Sequence, residues 1–154
     1  MAEKVIIIGG TAAGLSAASK AKRVDPSLDI TVFEKSGYIS YGACGLPYFV
    51  GDMIKEPNDL VSLSVDQMTH KRGVPTFIHH EVTRIDRGAQ TVTVRNLDNG
   101  EVFERPYDKL VIATGARPIV PRIPGVDAEG VYTLRTVEDG IRLKHVVQSG
   151  AQKK

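Results

Sequence analysis

The sequence predicts an α/β fold, a parallel sheet with helices and a small β-meander inserted into it. Three observations carry that prediction. Two short apolar runs, Lys4–Ile8 and 29–34, are rich in β-branched residues and bracket a breaker-poor stretch of Ala, Leu and Lys. A run of the same kind returns at 109–114. Between them lies a region of strand character around the turn signal Asp98-Asn99-Gly100.

Taken in order, Lys4–Ile8 is bounded by Gly9-Gly10 and reads as a buried strand. Ala12–Val24 reads as a helix that stops before Asp25-Pro26-Ser27. Residues 29–34 (Asp-Ile-Thr-Val-Phe-Glu) form a second strand, completing a βαβ unit of about thirty residues, the length of a parallel crossover. Residues 38–51 are aromatic and glycine-rich without periodicity. A loop and then a short helix starting near Cys44 is expected there, because Pro47 suits only a helix's first turn. Residues 64–72 read as a helix capped by Ser64 and closed by Gly73.

The next stretch switches period. Residues 76–85 are expected as one strand, and Thr91–Asn96 and 101–105 flank the Asp98-Asn99-Gly100 turn. Residues 109–114 restore a buried parallel-type strand, followed by Gly115. Prolines at 118, 121 and 124 predict an extended connection, then a last strand at 131–134 and a last helix at Val137–Gln148.

Bulk properties narrow the function. A chain of 154 residues suits one domain, here read as residues 1–154. Its 42% apolar and 25% charged content is that of a soluble globular protein, and a net charge of +2 gives no basis for a nucleic-acid or membrane partner. The N-terminal apolar run is cut short by glycines, unlike a signal peptide or membrane span. One cysteine means no internal disulfide and no zinc cluster, with a cytoplasmic, reducing setting as the default. His79 and His80, adjacent on a predicted strand, face opposite sides, and His70 and His145 sit in polar helices; no metal site is expected.

The loop Gly9-Gly10-Thr11-Ala12-Ala13-Gly14 follows a strand and opens a helix, and Glu34 lies twenty residues after Gly14. That is the context of a dinucleotide-binding turn. The first glycine permits the tight turn and the last lets helix and strand pack closely, while N–H groups at the helix start face a pyrophosphate. Glu34 is placed to accept hydrogen bonds from ribose hydroxyls, with Lys35 beside it. The middle glycine of the pattern is replaced by Thr11, whose side chain must turn away from the phosphates, as a negative φ allows.

The downstream string Leu110-Val111-Ile112-Ala113-Thr114-Gly115-Ala116-Arg117-Pro118 resembles the second FAD fingerprint of the two-dinucleotide-binding flavoproteins. Cys44 lies ten residues after Glu34, in Ser40-Tyr41-Gly42-Ala43-Cys44-Gly45-Leu46-Pro47-Tyr48. A lone cysteine is ordinarily a small buried hydrophobe. A helix starting there would instead turn unpaired N–H groups toward the sulfur, which suits a reactive thiol.

With these strings together, the chain resembles the N-terminal segment of the single-cysteine pyridine nucleotide-disulfide reductases, a group that includes coenzyme A-disulfide, persulfide and polysulfide reductases, NADH oxidase and NADH peroxidase. The resemblance implies a Rossmann-like FAD-binding domain. Its FAD residues would be Gly9, Thr11, Ala12, Ala13, Gly14, Glu34, Lys35, the Val82 main chain, Ala113, Thr114 and Gly115, with Cys44 as the catalytic residue. Phe49 stands where dithiol relatives carry a second cysteine. Basic residues near the helix ends hold nucleotide phosphates in coenzyme A-dependent relatives, which carries over to Lys22, Arg23, Ser40 and Lys71 as substrate-binding residues. Oxidases and peroxidases usually carry a histidine at the position of Ala12.

The expected function is therefore the FAD-binding part of an NAD(P)H-dependent flavoprotein that reduces a small-molecule disulfide, persulfide or polysulfide through Cys44. An NADH oxidase or peroxidase, or a module that only binds nucleotide, are the alternatives. The relatives continue with an NAD(P)H-binding domain and a dimerisation domain. No second glycine fingerprint occurs in the 154 residues, so the electron donor is expected to bind through domains absent from this chain, in a homodimer.

Overall fold

The computed structural model describes residues 2–150. Strand β1 (Lys4–Ile8), helix α1 (Ala12–Val24) and strand β2 (Asp29–Phe33) form the βαβ unit. β1 and β2 pair in parallel from Lys4↔Asp29 to Ile8↔Phe33. Strand β7 (Lys109–Ile112) lies parallel on the other side of β1, and a two-residue strand β3 (Thr76–Phe77) edges β2, giving the order β3-β2-β1-β7. A separate antiparallel sheet consists of β4 (His80–Asp86), β5 (Thr91–Asn96) and β6 (Val102–Pro106). The expected meander is thus present as its own three-stranded sheet.

Alternation along β1 explains why the parallel sheet is central to its unit. Val5 and Ile7 join Leu15 and Ala18 of α1, Ile30, Val32, Ile39, Met68 and Val74 in one core. Ile6 and Ile8 point the other way and join Phe33, Val92, Val94 and Tyr107. One strand therefore feeds two cores, as its continuous apolar run requires. Each such side chain taken fully out of water stabilises the fold by about 1.5–3 kcal/mol.

Three expectations change. The single strand over 76–85 is broken: β3 ends at Phe77, His79 adopts φ +55°, and β4 starts at His80. Glu34 N donates to Phe77 O at 2.8 Å, and His80 N donates to Glu34 O at 2.9 Å. The Glu34 backbone thus engages both sides of the break while the chain leaves the parallel sheet. No strand forms at 131–134; Val131 N closes a turn onto Ala128 O, and Val131 and Tyr132 remain exposed. Residues 64–72 are capped by Ser64 as expected, Oγ accepting from Gln67 N at 3.1 Å, but Gln67–Lys71 wind as a wider π turn.

The chain divides into two compact units. The first takes the described residues of Met1–Tyr41 and Leu63–Gly115, and so contains both sheets and α1. The second takes those of Gly42–Ser62 and Ala116–Lys154. It contains a 3-10 turn at Ala43–Gly45, the short helix α2 (Leu46–Val50), and helix α3 (Val137–Gln148). Residues 151–154, part of the 1–154 reading, lie outside the described residues. α3 starts where Thr136 Oγ1 accepts from Asp139 N at 3.2 Å and Asp139 Oδ2 accepts from Thr136 N at 3.1 Å, a reciprocal cap.

Candidate active site

The glycine loop is built by a close approach of two chain segments. Gly9 has φ +108°, and a Cβ there would collide with the Ala113 carbonyl. A Cβ on Gly14 would collide with the Gly9 carbonyl oxygen and lie 3.2 Å from Ile7 Cγ2. Gly9 N donates to Phe33 O at 2.8 Å and Ala113 N to Ile8 O at 2.8 Å, which fixes the ends of β1, β2 and β7 side by side. Thr11 has φ −96° and ψ −153°, the negative φ its side chain needs, and it precedes α1. The amides that open α1, those of Ala12, Ala13 and Gly14, have no earlier helical turn to donate to. Such a helix start favours an anion.

Glu34 is buried at the end of β2, 8% exposed. Its Oε2 accepts from Gly10 N at 2.6 Å and its Oε1 from Ser36 N at 2.8 Å. A carboxylate has about four lone-pair sites, so two remain for a ligand. By bonding Gly10 N, the Glu34 carboxylate shapes the glycine loop.

Five of the eleven residues that the resemblance assigns to FAD come together. Gly9, Glu34, Lys35, Val82 and Thr114 line one recess of about 130 Å³, with Ile8, Phe33, His80 and Glu81 completing the wall. A register shift between Val82 and Arg84 bulges β4 beside that recess, a device that re-aims backbone groups. His80 was read only as a strand residue. Its Nδ1 lies 2.7 Å from Ile78 O, which can only accept, so Nδ1 carries the proton. Its ring stacks with Phe33 at 6.2 Å. Gly115 follows with φ +71°.

A second recess, of about 560 Å³, is lined by Ala12, Ser16, Lys20, Arg23, Ser40 and Arg72 among others. Arg72 Nη1 donates to Ser19 Oγ at 2.8 Å, bringing that guanidinium to α1. Arg23 and Ser40 thus line the same recess. Lys22 lines a further recess together with Ser19, Arg23 and Arg72, while its Nζ donates to Pro26 O at 2.9 Å and Leu28 O at 2.7 Å, tying down the turn after α1. Lys71 does not line the second recess; its neighbour Arg72 does, with Lys20.

Cys44, in the second unit, is exposed and central in the Ala43–Gly45 turn that leads into α2. Gly45 N donates to Gly42 O at 2.9 Å, closing that turn. The thiol is thus held on a tight turn and open to a substrate. Among the described residues no cluster of His, Cys, Asp and Glu could hold a metal ion, and no helix is long and apolar enough to cross a membrane.

A parallel sheet with a glycine-turned βα unit, an acid ending the second strand and a separate antiparallel sheet define a Rossmann-like FAD-binding fold. Residues 3–151 match the model of the pyridine nucleotide-disulphide oxidoreductases, and the chain belongs to that family. It is 36% identical over 151 residues to the coenzyme A disulfide reductase of Staphylococcus haemolyticus, covering 98% of this chain and 34% of that protein. It is 36% identical over 152 residues to the NADH oxidase of Methanocaldococcus jannaschii, covering 97% and 34%. Among solved structures, the NAD-dependent persulfide reductase from A. fulgidus matches with a TM-score of 0.87 and 40% identity, over 96% of this chain and 27% of that one. The chain spans about a third of the length of the curated relatives it matches. The family uses FAD and NAD(P)H.

Proposed function

We propose that this chain is the FAD-binding part of an NAD(P)H-dependent flavoprotein that reduces a disulfide, persulfide or polysulfide of coenzyme A type through Cys44. The observation that carries the reading is the lone cysteine itself, exposed on a tight turn in a chain that also holds the glycine loop and Glu34. An unpaired cysteine in such a chain also supports a cytoplasmic setting. Small-molecule acceptors fit the names of the relatives, and a homodimeric complete enzyme follows the family resemblance.

The residues fit FAD. Thr11, Ala12, Ala13 and Gly14 would face its pyrophosphate, Glu34 its ribose, and Lys35, the Val82 main chain, Ala113, Thr114 and Gly115 would border the rest. When bound, FAD supplies two electrons taken from NAD(P)H. The chain's own chemistry is thiol exchange. Cys44 thiolate forms a bond to one substrate sulfur, the substrate S–S bond breaks, and the departing thiolate takes a proton. The mixed disulfide left at Cys44 then accepts two electrons and a proton, releasing the second thiol and restoring the Cys44 thiolate. Lys20, Arg23 and Arg72, with Ser40, would hold the anionic end of the substrate, since guanidinium groups suit phosphate. Lys22, carried over from the resemblance like Lys71, lines a recess with Arg23 and Arg72 and would add its charge there.

The test is Cys44→Ser in the complete enzyme. Flavin content should stay at the wild-type level while coenzyme A-disulfide reduction is lost; retained reduction refutes the role. The similarity to an NADH oxidase supports a second reading, with oxygen as acceptor. Ala12 weighs against it, because the resemblance implies a histidine there in oxidases. Oxygen consumption by the complete enzyme that matches its NADH oxidation would favour that second reading.

A further inference from the structure

The turn that carries Cys44 lies beside a loop that a buried lysine of α3 holds. Gly42 N donates to Leu60 O at 2.9 Å. A Cβ on Gly45 would lie 2.5 Å from Leu60 Cδ2 and 3.5 Å from Ile54 Cδ1, so both side chains lie close beside the residue next to Cys44. The backbone of Ile54 is held on both sides. Its N–H donates to Tyr48 O at 3.2 Å, and its carbonyl accepts from Lys144 Nζ at 3.1 Å.

Lys144 has few options other than this one. Its side chain is 11% exposed. Its Nζ also donates to Lys55 O at 2.8 Å, lies 3.0 Å from Asp52 Oδ1, and sits 4.3 Å from the centroid of the Phe49 ring. Three oxygens use all three ammonium donors, and the ring face supplies a cation–π contact. Gly140, four residues earlier on the same face of α3, leaves room for α2: a Cβ there would be 3.2 Å from Leu46 Cδ2 and 3.3 Å from Phe49 Cδ1. Burying an ammonium is unfavourable unless its partners are well placed, and an apolar side chain of similar length would pack without that cost. What only the ammonium can do is tie residues 52–55 to α3.

We propose that Lys144 is a positioning residue for Cys44. Acting through the 52–55 loop and the Ile54 side chain, it holds the 42–45 turn in one shape and so presents the thiol in one direction. The proposal rests on the reading of Cys44 as the reacting thiol.

The experiment compares wild type, Lys144→Met and Lys144→Arg in the complete, FAD-loaded enzyme. Coenzyme A-disulfide reduction and amide hydrogen exchange are both measured. Lys144→Met should lower kcat about tenfold with KM within about twofold, as small misplacements of a reacting group do. Exchange should rise in residues 42–55 and stay unchanged in β1 and β2. Lys144→Arg, which keeps the charge and donors, should recover most of kcat. Unchanged kcat, or a loss that Lys144→Arg does not repair, overturns the proposal. If Lys144→Met does not fold, Asp52→Asn and Phe49→Leu each remove one partner of the ammonium. Both should lower kcat in the same direction, and wild-type kcat in both overturns it. If wild type reduces no disulfide, the functional reading fails, and the exchange pattern alone decides for or against the clamp.

Discussion

Substituting Gly14 by Ala sets two effects of known size against each other. In a helix interior, Ala is better than Gly by about 0.8–1 kcal/mol, so propensity alone favours the change. The added methyl, however, would collide with the carbonyl oxygen of Gly9 and lie 3.2 Å from Ile7 Cγ2. The atom it meets first is backbone, fixed by Gly9 N donating to Phe33 O, so it cannot rotate aside. Overpacking against such a neighbour costs about 1–3 kcal/mol, and a rigid carbonyl belongs at the upper end. The net expectation is a loss of about 1–2 kcal/mol, or a melting temperature lower by about 2–8 °C for a chain of this size. Gly140→Ala supplies the control. There the methyl meets side chains and no backbone, Leu46 Cδ2 at 3.2 Å and Phe49 Cδ1 at 3.3 Å, which need to give by only a few tenths of an ångström. Its propensity gain and its packing cost nearly cancel, for a net within about 0.5 kcal/mol. Thermal melts followed by circular dichroism, with FAD titrations of the folded variants, measure both. Equal melting temperatures for Gly14→Ala and wild type, or an equal fall in the two variants, would refute the reasoning.

Other outcomes follow from the basic recess and from charge. Arg72→Ala should raise KM for an anionic substrate of the complete enzyme by about tenfold, the scale of one lost charge-assisted hydrogen bond, and leave kcat near wild type. The wild-type KM should in turn rise with ionic strength, and a salt-independent KM would argue against electrostatic anchoring at Arg23 and Arg72. Hydrogen bonds from Lys55 and then Lys144 hold the Asp52 carboxyl below its ordinary 3.8. Its contribution to stability is therefore full above that value and disappears as pH falls through the lower folded one. Asp52→Asn should flatten that acid limb in melts taken from pH 5 downward; an unchanged limb contradicts the assignment.

Much of this fold is legible from local pattern. β1, α1, β5 and α3 have the limits read from their residues. What local pattern could not supply is where chains part company. Phe77, Ile78 and His80 read as one strand because the break at His79 depends on the Glu34 backbone, which is far away in sequence. Residues 131–134 have strand-like composition, but a strand needs a ladder partner, and that stretch turns back onto Ala128 instead. The recess at Gly9 and Glu34 is legible for a chemical reason: glycine is required wherever backbones meet closely, so its spacing records the geometry. The basic recess was less so. Long cationic side chains reach several places from one backbone position, and Lys22 finds two carbonyls at the turn while Arg72 crosses to Ser19.

The pairing of β7 with β1 also has a kinetic meaning. Lys4 and Asp108, bonded at 2.7 Å, are 104 positions apart. The hairpins β4–β5 and β5–β6 close over short loops. Local contacts of that kind form early, whereas a closure spanning a hundred residues waits until the intervening chain is already compact. On a ribosome, the pocket bounded by Gly9 and Thr114 has no second wall until β7 has left the exit tunnel. The recess can then close only after the chain has been made through Thr114, and a ligand that needs both walls would select chains that had already brought β1 and β7 together.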